Sequence, residues 1–209
     1  MDKGERDAFG AHFTSPVDVM MIVGPTIVEP WRREIEGATI LKQLRQLLSR
    51  IQHFKVLDPA CGSGNFLYIA YRELKRLEAR IIDRMETEFK KEAAKAGDMR
   101  ISFLSAHNFY GIDVLPFAVE LAKVTMMIAR KLAIDELHIS EEALPLDNLD
   151  SNFVASDALI QSEPLSGDDE KANWRRPIVT RDGKPQLVKW PEVDVIIGNP
   201  PFSRLLKNP

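Results

Sequence analysis

The sequence contains a single cysteine, Cys61, among its 209 residues, which excludes an internal disulfide framework and a cysteine-rich zinc module. Its four histidines are scattered and show no metal-ligand spacing. No apolar run approaches the roughly 20 residues that a membrane-spanning helix requires. Residues 1–6 are charged and lack the apolar stretch of a secretory signal. We therefore expect a cytoplasmic protein without a bound metal.

An excess of positive charge is also missing from the chain. It has 28 Lys and Arg residues against 31 Asp and Glu residues, a formal net charge of −3. This balance argues against a compact basic module that holds nucleic acid by bulk charge. The composition, 44% hydrophobic and 28% charged, is that of an ordinary globular protein. The length suits one domain with a sizeable core, or two small domains.

The hydrophobic pattern alternates between short apolar runs and longer amphipathic segments. The apolar runs predict strands over residues 54–58, 109–113, 152–157 and 193–197. Helical spacing predicts helices in pieces over 17–48, one from 66 to about 95 that stops at Ala96-Gly97, and one that opens at Pro116. Strands that alternate with helices indicate parallel pairing in an α/β sheet.

Residues 161–192 form a polar excursion between the last two predicted strands. Two β-prone runs, 177–180 and 187–190, flank the turn dipeptide Asp182-Gly183 inside it. This arrangement predicts a hairpin. Trp174 and Trp190 are interpreted as packing residues of the excursion.

A glycine-rich turn, residues 58–67, joins the first predicted strand to the helix that follows. A phosphate-binding loop would need a lysine after Gly64, and none is present. A dinucleotide site would need a third glycine where Leu67 stands and an acidic residue about 20 positions further on. Asp113, the next acidic residue at a strand end, lies 49 positions after Gly64. A nucleoside ligand without phosphates fits better, and the alternative is a strand–turn–helix corner whose glycines are incidental.

The sequence Asn199-Pro200-Pro201-Phe202 follows the last predicted strand. The two prolines fix the backbone and remove two N–H donors, which leaves carbonyl oxygens, an amide and an aromatic ring. This set would suit a planar amine. The acceptors would bind its N–H groups, and the aromatic ring would stack on its face. The alternative is that the prolines only end the strand.

Together these motifs resemble the N6-adenine DNA methyltransferases of restriction–modification and phage-defence systems. Residues 10–16, Gly-Ala-His-Phe-Thr-Ser-Pro, are similar to the N-terminal motif of members with the gamma-type motif order. The resemblance implies a partial class I S-adenosylmethionine-dependent methyltransferase sheet, which is Rossmann-like, with an N-terminal helical segment. It also implies a bacterial or archaeal source. Residues 1–50 would be that segment with a cofactor-closing motif, and 51–209 would be part of the catalytic domain.

The resemblance also implies roles for individual residues. Asp113, with Val114 beside it, would hold the cofactor ribose, and Asp157, with Ala158 nearby, would contact the cofactor adenine. Asn199, Pro200, Pro201 and Phe202 would receive the target base. The remaining cofactor-binding residues would line the methionine moiety or close over it: His12, Phe13, Thr14, Asp58, Pro59, Ala60, Cys61, Gly62, Gly64, Asn65 and Phe66. On chemical grounds alone, Cys61 is a small packing residue. The alternative for Asp113 is a solvated loop acid, but its position after Gly-Ile favours the functional role.

Two other functions stay open at this point. A methyltransferase that acts on RNA guanine or on a protein glutamine would also use Asn-Pro-Pro with an aromatic residue. A fragment that binds the cofactor without turnover is the second alternative, because the family's target recognition domain is expected to be absent from these 209 residues. Double-stranded DNA would then be bound mostly by regions outside this chain, together with the remaining methyltransferase and target recognition regions.

Overall fold

A computed structural model describes residues 14–91, 102–137, 149–164 and 175–200 of the chain. Within these residues a π-helical turn, Gly24–Val28, joins the first two helices, and a short 3-10 helix, Ala106–Asn108, precedes the second strand. The helices are α1 (Pro16–Val23), α2 (Glu29–Gly37), α3 (Leu41–Gln52), α4 (Asn65–Glu88) and α5 (Pro116–Leu137). The strands are β1 (Val56–Asp58), β2 (Phe109–Asp113), β3 (Phe153–Ala155), β4 (Ser162–Pro164), β5 (Arg175–Pro177) and β6 (Val195–Ile196).

Four strands form a parallel sheet in the order β3-β2-β1-β6. Leu57 in the middle of β1 lies opposite Tyr110 on one side and Ile196 on the other. The chain therefore moves outward from β1 through β2 to β3 and then returns to the opposite side of β1. The sheet reverses its strand order at β1, and such a switch point opens a crevice at the carboxyl ends of the strands. The predicted parallel α/β sheet is confirmed.

Helices α4 and α5 pack against each other beside the sheet. Right-handed crossovers from β1 to β2 and from β2 to β3 place both helices on the same face. Helix α4 turns Leu67, Leu74 and Ile81 fully inward, as its three- and four-residue apolar spacing predicts. The ring of Tyr71 on α4 meets Phe109 of β2 edge-on, with 5.3 Å between the ring centroids. This contact fixes the helix over the centre of the sheet.

Helices α1 to α3 confirm the prediction of helical pieces over 17–48. Ser15 caps α1, because its hydroxyl oxygen accepts a hydrogen bond from the Asp18 amide at 3.2 Å, and Pro16 follows at the first helical position. The Arg84 guanidinium of α4 donates to the carbonyl oxygens of Ile35 and Ala38, where α2 ends. These contacts hold the N-terminal helices against α4.

The segment that leads into β2 is fastened by a buried polar network that the sequence pattern did not predict. Lys75 donates to the Ser102 hydroxyl at 2.6 Å, and that hydroxyl donates to the Glu78 carboxylate. The other oxygen of Glu78 accepts the amides of Phe103 and Leu104 at 3.0 and 3.2 Å. Since each charge has partners, its burial is compensated.

The excursion contains the predicted turn. The Thr180 amide donates to the Lys184 carbonyl at 2.8 Å around Gly183, which has a φ of +77°. Strands β4 and β5 form an antiparallel pair that the polar sequence did not predict. The Trp190 indole donates to the Ala158 carbonyl at 2.6 Å, which supports its interpretation as a packing residue. Trp174 lies outside the described residues.

Three strands are shorter than predicted, and local hydrogen bonds explain why. The Lys55 amide donates to the Asp194 side chain at 2.7 Å, so β1 begins at Val56 rather than at residue 54, and β6 begins at Val195 rather than at 193. The Asn152 amide nitrogen donates to the Leu149 carbonyl in a turn, so β3 begins at Phe153. The predicted stop of the long helix at Ala96-Gly97 lies outside the described residues. Within the described parts of the chain, no helix is long and apolar enough to cross a membrane.

Candidate functional site

The carboxyl ends of the four parallel strands lie at one edge of the sheet. Asp58 ends β1, Asp113 ends β2, and Asp157 follows β3 by two residues. Asn199 follows β6 by three residues. The structure therefore brings to one edge the side chains that the sequence placed after its predicted strands.

The glycine turn after β1 has two glycines with different tasks. The turn is held by the Cys61 amide, which donates to the Ile112 carbonyl at 2.9 Å. Gly62 has a φ of +50°, and a Cβ there would meet nothing within 4 Å. Gly64 has a φ of +84°, and a Cβ there would lie 3.2 Å from Ala122 of α5. Gly62 thus borders open space, whereas Gly64 permits close packing of α4 against α5.

Asp113 ties the glycine turn to β2. Its Oδ2 accepts the Gly62 amide at 2.9 Å, and its Oδ1 accepts the Leu115 amide at 2.9 Å. Each carboxylate oxygen can accept a second hydrogen bond, so the group can still receive a ligand hydroxyl. Asp113 is half-buried and is no free loop acid, whereas the neighbouring Val114 is exposed.

Asp58 is the most unusual side chain at this edge, because only 1% of it is exposed. Its Oδ1 accepts the Ala60 amide at 3.0 Å, but its Oδ2 has no hydrogen-bond partner in the described part of the chain. Burial raises the pKa of Asp58 to about 7, the Ala60 hydrogen bond opposes the rise, and the charge of Asp113 adds to it. A buried oxygen without a partner calls for a hydrogen-bond donor from beyond the described residues.

Gly198 brings the end of β6 directly onto Asp58. A Cβ at this position would lie 2.5 Å from Oδ1 of Asp58 and 3.1 Å from its Cγ, so only a glycine allows the approach. Sequence reasoning missed Gly198 as a site residue. The available signal was its position between an apolar run and Asn199.

Asn199 is exposed, and its Nδ2 lies 3.4 Å from the Thr14 hydroxyl oxygen. This hydrogen bond joins the N-terminal motif to the motif after β6, across 185 positions of sequence. Pro200 is exposed as well. Four other predicted site residues lie outside the described residues: His12, Phe13, Pro201 and Phe202.

Asp157 shapes the turn that follows β3. Its Oδ1 accepts the amides of Leu159 and Ile160 at 2.7 and 2.9 Å. The Ser156 amide donates to the Asp113 carbonyl at 2.8 Å, which sets this turn beside the end of β2. The predicted contact of Asp157 and Ala158 with a cofactor adenine stays a prediction.

The other predicted residues of the glycine turn have mixed surroundings. Cys61 is 5% exposed, and burial together with Asp58 and Asp113 raises the pKa of its thiol. The neutral thiol therefore packs beside Gly111 and Phe153 rather than acting as a nucleophile. Phe66 is buried in the core, whereas Pro59, Ala60 and Asn65 are half-buried.

The chemistry of this edge suits a ligand with donors or positive charge. Two carboxylates, Asp58 and Asp113, stand where a phosphate loop would offer only N–H groups, and their charge would repel a phosphate. Among the described residues, no group of three or more histidine, cysteine, aspartate or glutamate side chains is placed to hold a metal ion.

Comparison with known proteins gives one family match over most of the chain. The profile of the family described as the MmeI DNA-methyltransferase domain matches residues 34–207. A solved structure of the type IIL restriction–modification enzyme MmeI in complex with DNA superposes with a TM-score of 0.57 and 25% identity. The superposition covers 70% of this chain and 20% of that one.

Two curated proteins are similar over shorter stretches. DNA methyltransferase A of Bacillus subtilis is 35% identical over 133 residues, which cover 63% of this chain. The adenine-specific methyltransferase PglX of Streptomyces coelicolor is 27% identical over 161 residues, or 72% of the chain. The matched residues span 14% of the first relative and 12% of the second.

Proposed function

This chain belongs to the family of the MmeI DNA-methyltransferase domain, and we propose that it transfers a methyl group from S-adenosylmethionine to the N6 amine of a flipped-out adenine in DNA. The observation that supports this proposal is the close approach of Asp58 to Gly198, the residue before Asn199. It places the predicted cofactor turn and the predicted target-amine motif side by side at the switch point of the sheet. Residues 51–209 would then supply part of the catalytic domain, and residues 1–50 the N-terminal helical segment with the motif that closes over the cofactor.

The residues at the switch point fit S-adenosylmethionine, which carries an ammonium and a sulfonium. Oδ2 of Asp58 is buried and has no partner among the residues that the structure describes, so an ammonium group would supply the missing donor. Gly62 borders open space where a ligand can approach the backbone. The two carboxylates, Asp58 and Asp113, complement a ligand with positive charge. None of these features favours a phosphate.

Individual roles follow from the family resemblance and fit this geometry. Asp113 can accept the ribose hydroxyls while it still holds the Gly62 amide. Asp157 can accept the adenine amine through the carboxylate oxygen that the turn leaves free. His12, Phe13 and Thr14 would close over the cofactor from the N-terminal side.

At the target amine, the chain supplies acceptors. S-adenosylmethionine, when bound, provides an electrophilic methyl group. The Asn199 side-chain oxygen and the Pro200 carbonyl would accept the two N–H bonds of the adenine amine, whose lone pair is otherwise delocalised into the ring. Those two hydrogen bonds hold the nitrogen in place and favour a more tetrahedral geometry. Phe202 would stack on the base once it leaves the duplex, for about 1–3 kcal/mol.

The choice of DNA adenine rests on the family and on residues 10–16. PglX is named as adenine-specific, and the MmeI structure contains DNA. RNA guanine and protein glutamine remain the rival substrates, because the same acceptors suit their planar amines. The N-terminal motif and a phenylalanine at position 202 favour DNA adenine by resemblance to that family.

The decisive experiment offers labelled S-adenosylmethionine to the chain with duplex DNA, RNA or protein. We expect label in the adenines of DNA, at N6, and none in the other two substrates. The Asn199→Ala variant should lose transfer while it still binds the cofactor in a calorimetric titration. Transfer by Asn199→Ala at the wild-type rate, or label in RNA or protein only, would overturn the proposal. Cofactor binding without any transfer would instead support a binding fragment.

A further inference from the structure

We propose that Thr14 is a positioning residue, which restrains the Asn199 carboxamide in the orientation that turns its oxygen toward the substrate amine. This inference deepens the proposed methyl transfer and rests on it. The observation that carries it is the hydrogen bond from Asn199 Nδ2 to the Thr14 hydroxyl oxygen, at 3.4 Å.

The side chain of Asn199 needs such a partner because it is exposed. Packing does not hold its amide plane, and within the described part of the chain Thr14 is its only side-chain partner. The backbone beneath it is fixed, since Gly198 lies against Asp58 and the Ile197 amide donates to the Leu57 carbonyl at 2.9 Å. The rotation of the side-chain amide is therefore the degree of freedom that the backbone leaves open at Asn199.

Thr14 is a rigid support for that amide. The next residue, Ser15, caps α1, and its hydroxyl oxygen accepts the Asp18 amide while its carbonyl accepts the Val19 amide at 2.9 Å. Val19 and Val23 are fully buried, and α1 packs against α4. The position of the Thr14 hydroxyl is thus set by a helix that is anchored in the core.

The consequence for catalysis follows from the two ends of an amide. A carboxamide has one acceptor oxygen and one NH2 group with two donors, and a flip of 180° exchanges them. In this structure the NH2 group points to the Thr14 hydroxyl, so the oxygen points the other way and can accept an N–H of the target amine. The hydroxyl can also donate to the oxygen of a flipped amide, so its role is to restrain the rotation of the carboxamide rather than to tell its two ends apart. Removal of the Thr14 hydroxyl should therefore free this rotation and lower the fraction of productive orientations, while every group that touches the target base stays in place.

The first test compares Thr14→Val with Thr14→Ser. Valine keeps the shape but lacks the hydroxyl, whereas serine restores it. Thr26→Val is the matched control, because the Thr26 hydroxyl only bonds the Ile22 carbonyl at 2.6 Å within its own helical turn. In DNA methylation at saturating cofactor and DNA, we expect Thr14→Val to lower kcat about fivefold, as for one lost hydrogen bond. We expect an unchanged KM for DNA, with Thr14→Ser and Thr26→Val near the wild type.

The second test reads the amide directly and does not depend on activity. In 15N-labelled protein, Asn199→Asp identifies the side-chain NH2 signals of Asn199 by their disappearance. Thr14→Val should shift those signals and speed their exchange with water, whereas Thr14→Ser and Thr26→Val should leave them in place. If the wild-type chain transfers no methyl group, the proposed function fails. The Asn199 NH2 signals then still test whether Thr14 holds the Asn199 side chain.

Three results would overturn the positioning role. One is an Asn199 NH2 signal that is unchanged by Thr14→Val. Another is a loss of transfer that Thr14→Ser does not restore. The last is a loss that appears in KM for DNA with kcat intact, since that pattern would make Thr14 a substrate-binding residue.

Discussion

The carboxylate of Asp58 lies against the backbone of Gly198, so that no side chain fits between the ends of β1 and β6. This relationship joins two motifs that are 140 positions apart in the sequence. It leaves Oδ2 of Asp58 buried and able to accept a hydrogen bond. Both the stability of the sheet edge and the affinity for a ligand depend on it.

Substitution of Gly198 by alanine tests this close approach. A methyl group 2.5 Å from Oδ1 forces the two strand ends apart, and overpacking of this kind costs about 1–3 kcal/mol of unfolding free energy. Gly24→Ala is the control, because a Cβ there meets nothing within 4 Å. Urea denaturation should show the loss only for Gly198→Ala, together with weaker S-adenosylmethionine binding. Equal stability of the two variants would contradict the geometry.

The buried carboxyl of Asp58 predicts an unusual pH dependence of stability. Its pKa rises from 3.8 to about 7 on folding, so the folded protein holds this proton longer than the unfolded chain does. Stability is therefore highest below about pH 4 with respect to this group and falls as the pH rises to about 7. The pKa difference corresponds to an upper bound of roughly 4 kcal/mol.

Asp58→Asn should remove this penalty. We expect the variant to gain unfolding free energy over the wild type at about pH 8, and to show little gain at about pH 4. Asp135→Asn, at an exposed position of α5, serves as the control, and urea denaturation at both pH values is the measurement. The same variant should bind S-adenosylmethionine more weakly, because a neutral amide replaces the carboxylate that we propose to face the ammonium. A parallel pH profile for wild type and Asp58→Asn would rule out the buried charge as the cause.

Removal of the Asp113 carboxylate should weaken cofactor binding. Asp113→Ala leaves the amides of Gly62 and Leu115 without their acceptor, so the glycine turn loosens as the proposed ribose acceptor disappears. We expect a rise of at least about tenfold in the calorimetric Kd for S-adenosylmethionine, from a loss of about 1.4 kcal/mol or more. Asp135→Ala should leave Kd unchanged. An unaltered affinity in Asp113→Ala would remove Asp113 from the site.

The two glycines of the turn should respond differently to alanine. Both have positive φ, so each substitution costs about 1–2 kcal/mol in backbone strain. Gly64→Ala adds a contact of 3.2 Å with Ala122, which is tighter than ordinary van der Waals contact, so its unfolding free energy should fall further than that of Gly62→Ala. Gly62→Ala puts a methyl group into the open space instead, so it should weaken cofactor binding. The reverse order of stabilities in urea would exclude the packing role of Gly64.

Periodicity was sufficient for the elements that pack along their whole length. The range of β2 was predicted to the residue, because residues 109–113 are apolar and end at an acid, and α5 begins at Pro116 as predicted. Strands β1 and β6 were predicted to begin too early, since the side chain of Asp194, rather than a backbone carbonyl, accepts the Lys55 amide. Such competition between side chain and backbone leaves no mark on hydrophobic spacing.

The candidate site was predicted as separate motifs rather than as contacts. Thr14 and Asn199 were both named from the family resemblance, but their hydrogen bond depends on tertiary packing of α1. Gly198 was missed because its requirement arises from a carboxylate 140 positions away. The buried Lys75 and Glu78 likewise read as charged residues of an amphipathic helix, whereas Ser102 brings them into the core.

The strand order β3-β2-β1-β6 also has a consequence for biosynthesis. Asp58 leaves the ribosome 140 residues before Gly198, a delay of roughly 7–30 s at translation rates of about 5–20 residues per second. During that interval β1 and β2 can pair, but the other side of β1 has no strand beside it. The nascent chain therefore carries an open strand edge and an uncovered carboxylate until β6 is translated, and only then are both sides of the proposed cofactor site in place.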